Sequence, residues 1–137
     1  MKTITATTLA LVSSLSMAAD YNVDPAHSFV SFKIGHLGVS TTQGTFNEFS
    51  GKFSYPEAGQ SGSASFIIQA DSVDTNHEAR DKHLRSPDFL DVKQFPTLSF
   101  KSTKFDGQTL TGDLTLHGIT KPVSFTVTKV GEGDDPW

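Results

Sequence analysis

Leu110-Thr111-Gly112-Asp113-Leu114-Thr115-Leu116-His117-Gly118-Ile119-Thr120-Lys121-Pro122-Val123-Ser124-Phe125-Thr126-Val127 is the stretch from which the fold can be read. Taken two residues at a time, Leu110, Gly112, Leu114 and Leu116 fall on one side, and Val123, Phe125 and Val127 extend that side further on. Polar residues such as Thr111, Asp113 and Thr115 fall on the other. Side chains alternate across a strand. One dry face and one wet face mark an antiparallel sheet, whereas a parallel sheet covered on both sides would show continuous apolar runs. His117-Gly118 supplies a tight hairpin between the two halves, and Asp106-Gly107 does the same one strand earlier.

The same period extends upstream. Leu98 with Phe100, then Ala64, Phe66, Ile68 and Ala70, then Phe49, Phe53 and Tyr55, and first Val30, Phe32 and Ile34 each share a face. This predicts about six strands, with segment 43–55 bent at Gly44 or Gly51, where glycine permits a bulge. One segment departs from the pattern. Thr75 with Glu78 reads as a capping box, and 76–84 runs through good helix formers. Ser86-Pro87 restarts a second helical turn, with Phe89 and Leu90 on its inner side. The tail 131–137 is acidic and rich in turn formers.

Lys2, the apolar run from Ile4 to Leu15 and the small residues around Ala18 form an export leader, with cleavage expected after Ala18. The run is shorter than the roughly 20 apolar residues of a membrane-crossing helix. Losing Lys2 takes the formal charge from -4 to -5, a balance unsuited to nucleic acid or anionic surfaces in general. The remaining 19–137 fits one domain. With no cysteine, an exported chain forgoes disulfide staples and has no thiolate chemistry. Eleven Phe against one Trp and two Tyr bring apolar area without polar tips.

Catalytic and metal signals are weak. His27, His36, His77, His83 and His117 show no helical His-x-x-x-His spacing and no cysteine partner, so no metal or other cofactor is expected. His117, ahead of a turn glycine, suits a structural hydrogen bond. No Gly-x-Ser-x-Gly elbow is present, and no catalytic residue is assigned. Alternation alone leaves two interiors open, a core packed to crystal-like density or a dry tunnel, and favours the packed one.

Several strings, in order, resemble the YceI-like family of exported lipid-binding proteins. They are Asp24-Pro25-Ala26-His27-Ser28, His36-Leu37-Gly38-Val39, Gly44-Thr45-Phe46, Arg80-Asp81-Lys82-His83-Leu84-Arg85-Ser86, Asp88-Phe89-Leu90-Asp91-Val92, Phe95-Pro96, Phe100-Lys101-Ser102, Gly112 to Val123, and Gly131-Glu132-Gly133-Asp134-Asp135-Pro136-Trp137. The resemblance implies an all-β, lipocalin-like antiparallel barrel with a short helical segment, holding an isoprenoid lipid of the polyprenyl or isoprenoid quinone type. Because the family continues past the Asp-Pro-Trp string into strands that close the barrel, the domain is expected to be cut short at its C-terminus. About eight strands are needed to enclose one small ligand.

With that resemblance the tunnel becomes the favoured interior, and the ligand-facing residues are expected to be Val30, Phe32, Ile34, Phe49, Phe53, Phe66, Ile68, Phe100, Leu114, Leu116, Phe125 and Val127. Arg80, Lys82, His83 and Arg85 are the basic cluster of an acidic chain. Arg80, His83 and Arg85 are the head-group candidates, since paired guanidinium donors suit phosphate or quinone oxygens. The competing account makes them a solvated helix face balanced by Glu78, Asp81 and Asp88. The function expected is that of a periplasmic or secreted, non-enzymatic carrier that touches a membrane or membrane protein transiently and forms a homodimer. The alternative is a secreted structural or stress-related β module with a filled core and no ligand.

Overall fold

The computed structural model describes residues 19–56 and 61–134. The expected leader 1–18 with its cleavage point, and the closing Asp135-Pro136-Trp137, lie outside the described residues.

Antiparallel pairing, foreseen from the alternation, organises the chain. β1 (Asp20–Asn22), β4 (Phe49–Ser54), β5 (Ser63–Gln69), β7 (Thr97–Phe105), β8 (Thr109–Leu116) and β9 (Ile119–Thr126) form one six-stranded sheet in the order β1-β4-β5-β7-β8-β9. β2 (Val30–His36), β3 (Ser40–Phe46) and the two-residue β6 (Val73–Asp74) form a second sheet. The two sheets are not joined into a closed barrel among the described residues.

Nine strands therefore stand among the described residues where about six were expected. The pairs Gly51↔Phe66, Phe66↔Phe100 and Phe100↔Leu114 put the Phe and Leu residues of four strands on one inner face. Lys52↔Ser65 and Lys101↔Asp113 fall on the outer face. A bulge between Ser102 and Lys104 shifts the register of β7 and brings Phe105 opposite Leu110 on the inner side.

The segment 43–55 is not one bent strand. β3 ends at Phe46 and β4 begins at Phe49, and the glycines stand inside strands. Their role is close approach. A Cβ on Gly44 would sit 2.4 Å from Phe32 Cζ, and one on Gly112 would sit 2.6 Å from Phe100 Cζ. Glycine in a strand interior commonly marks such packing.

The helix α1 (Glu78–Leu84) starts later than expected, and its cap is His77, whose Nδ1 accepts from Arg80 N. Thr75 is not part of a capping box. Its backbone N and its Oγ1 both donate to the buried Asp81 carboxylate. Ser86-Pro87 leads into hydrogen-bonded turns and not a second helix, and Phe89 is exposed where Leu90 is half-buried.

Two apolar clusters result. Phe46, Ala70, Val73 and Leu98 are buried where the small sheet and the α1 region meet the large sheet, with Val30, Phe32, Ile68, Leu84, Leu90 and Val92 packed around them. Ala64, Phe100, Phe105 and Leu110 form the other, flanked by Phe53, Tyr55, Phe66, Leu114, Val123 and Val127.

Candidate functional site: an aromatic trough and its strap

On the inner face of the large sheet the second cluster runs out into apolar side chains that are open to solvent at β8 and β9, and this shallow trough is the candidate site. Phe66 and Phe100 lie with ring centroids 6.3 Å apart, and Phe125 stands edge-on to Phe100 at 5.4 Å. Phe125 is 48 % exposed and Ile119 58 %, on β9, an edge strand among the described residues. The apolar inner-face residues of β7, Leu98, Phe100 and Phe105, are buried in the two clusters, so the solvent-open part of the face is carried by Leu116, Ile119 and Phe125.

The expected lining divides into four groups. Val30, Phe32 and Ile68 pack on the first cluster, and Phe53, Phe66, Phe100, Leu114 and Val127 on the second. Ile34, Leu116 and Phe125 are exposed, and Phe49 is half-buried. The helix end of the fold is therefore filled, and the open apolar surface of the large sheet's inner face lies over β8 and β9.

The head-group candidates have partners in the chain itself. Arg80 Nε donates to Thr75 Oγ1 and its NH2 group to the Thr75 carbonyl, both at 2.7 Å. Arg85 donates at 2.6 Å to the carbonyls of Asp71 and Val73, bracing the entry into β6. His83 is exposed, 3.1 Å from an Asp88 carboxylate oxygen and edge-on to Phe89. Burial pushes the Asp81 carboxyl up, but hydrogen bonds from Thr75, the Arg85 charge and the His77 backbone outweigh it and hold the group below the usual range. The guanidiniums thus serve as braces of the α1–β6 junction. As expected, His117 is used structurally, its Nδ1 bonding the Phe89 carbonyl.

The sequence reading missed the other end. After β9, segment 127–133 crosses the mouth of the trough as a strap. Val127 N donates to Gln108 O at 2.7 Å, and Lys129 Nζ sits 4.7 Å above the Tyr55 ring and 2.6 Å from Glu132 Oε2. Tyr21 of β1, stacked on Phe53 at 5.0 Å, donates its hydroxyl to Glu132. The strap so links the two edge strands of the large sheet and roofs a hollow of about 570 Å³ walled by Tyr21, Phe53 and Tyr55. The hydrogen bond from Lys129 and that from Tyr21 hold the Glu132 carboxyl below its usual range. The same contact with Glu132 raises Lys129. The one local signal was the Lys129, Glu132 spacing. Among the described residues no group of three or more His, Asp or Glu is placed to hold a metal ion.

A family model described as "YceI-like domain" matches residues 21–135. A UPF0312 protein of Ectopseudomonas mendocina is 50 % identical over 136 residues, which covers 93 % of this chain and 71 % of the relative. Protein YceI of Escherichia coli O157:H7 is 49 % identical over 129 residues, covering 89 % of this chain and 68 % of that one. Among solved structures, BcnA of Burkholderia cenocepacia superposes with a TM-score of 0.73 at 29 % identity, covering 81 % of this chain and 73 % of that one.

Proposed function

From the premise that this chain belongs to the YceI-like family, we propose that it is an exported carrier that binds a long isoprenoid lipid in the aromatic trough and catalyses no reaction. The observation carrying this reading is the line of Phe66, Phe100 and Phe125 on one inner face, the last of them half open to solvent.

A compact pocket would suit a metabolite, whereas a row of inner-face Phe and Leu residues crossing neighbouring strands to solvent-open Phe125 suits an extended prenyl chain. Each buried CH₂ contributes about 0.8 kcal/mol, so several isoprene units offset the cost of immobilising the chain. Of the inner-face residues of β8 and β9, Lys121, opposite Leu114, is the one that carries a charge, and a lone cation fits retention better than turnover.

Loading from a bilayer would bring a transient membrane contact. The packed cluster around Val73 favours the filled-core alternative for the helix end alone.

Titration with a fluorescent polyprenyl analogue tests the reading. Saturable binding that weakens in Phe125→Asp supports it. Absence of binding to the folded protein overturns it.

A further inference from the structure

The β2–β3 hairpin ends in a turn that is costly on two independent grounds. Val39 N bonds His36 O at 3.1 Å, and the two central residues, Leu37 and Gly38, have φ of +52° and +72°. Such a primed turn calls for Asn, Asp or Gly at both positions. A bulky residue at positive φ is an outlier, and here it is leucine.

That leucine gains nothing inside the molecule. Leu37 is 84 % exposed and Val39 85 %, while Ile34, on the same hairpin, is 57 % exposed. Strained backbone and exposed apolar side chains coincide at a convex tip. The cost of exposure is recovered if the tip enters an apolar medium supplied from outside, and a leucine kept at a strained position marks it as held for a function.

Charge indicates which medium. The chain carries 15 carboxylates, yet none between residues 25 and 47, where Lys33 is the sole Lys or Arg. The tip is thus free of the negative charge that dominates the rest of the chain, and it carries a cation behind its apolar residues. That pattern matches an anionic lipid surface, with apolar side chains entering the head-group boundary and Lys33 meeting the phosphates.

We propose that the β2–β3 tip is a membrane-docking element, in which Leu37 and Val39 enter the surface of an anionic bilayer. The inference does not depend on what the trough holds.

Leu37→Asn with Val39→Thr separates docking from folding, because asparagine suits the positive φ better than leucine does. Flotation with vesicles of phosphatidylcholine containing phosphatidylglycerol should show partition of the unaltered protein, weaker without phosphatidylglycerol. The double variant should melt at the same temperature or higher and partition at least about tenfold less, the loss set by two apolar side chains no longer buried. Equal partition of both proteins, or none by the unaltered one, overturns the proposal. So does a change of oligomeric state in the variant with vesicle binding unchanged, which would assign the tip to a protein contact.

Discussion

Gly51 of β4 lies directly beneath the ring of its cross-strand partner Phe66: a Cβ at Gly51 would stand 2.3 Å from Phe66 Cδ1. The same device recurs at Gly44 under Phe32 and at Gly112 beside Phe100. The large rings of the inner face lie flat enough to leave a trough only because glycines yield them space.

Gly51→Ala is therefore expected to destabilise the fold by about 1–3 kcal/mol, the usual range for overpacking. Adding Phe66→Leu should recover part of the loss. Urea denaturation of the two single variants and the double variant measures the coupling.

Asp81 gives the fold an acid-sensitive point. Its folded pKa lies below the ordinary value of 3.8, so the stabilisation is fully present above that value and is lost as pH falls through the folded pKa. Asp81→Asn is expected to cost about 1–3 kcal/mol at neutral pH by disrupting a buried hydrogen-bonded group. It should also flatten the decline in stability below about pH 4, a window set by the ordinary aspartate pKa. Thermal melts between pH 3 and 7 test both.

Arg85 is expected to act on stability and not on lipid retention. Arg85→Met removes the donors to the Asp71 and Val73 carbonyls and should cost about 1–3 kcal/mol. Lipid bound per folded molecule should not change. Denaturation and analogue binding on the same preparation separate these effects, and weakened binding with intact stability would restore Arg85 to the head-group role.

The strap should loosen when its clasp is weakened. Glu132→Gln removes the charge that holds Lys129 and accepts from Tyr21, so trypsin should cut after Lys129 faster than in the unaltered protein. The folded pKa of Glu132 lies below 4.5, so the clasp is complete above that value and opens as pH falls through the lower one. Amide protection in 127–133, relative to the intrinsic exchange rate at each pH, should fall over that range in the unaltered protein and change little in the variant.

Much of the sheet was legible because its strands are long. β8 and β9 carry eight residues each, enough for a period of two to declare the inner face. β1 and β6, with three and two residues, offer no period to read. Gly44 and Gly51 looked like bends because sequence shows a missing side chain but not the ring occupying its place. Thr75 looked like a cap because the spacing to Glu78 fits, whereas its hydroxyl is taken by the buried Asp81. The strap was hidden because Tyr21 and Glu132 are 111 residues apart.

The lipid itself is the decisive evidence. Organic extraction of the folded protein, followed by mass spectrometry against a Phe125→Asp control, should yield about one polyprenyl-type molecule per chain and far less from the control. Extracts equally free of prenyl lipid in both, from protein that also fails to take up added lipid, would contradict a carrier function and leave a packed β module in its place.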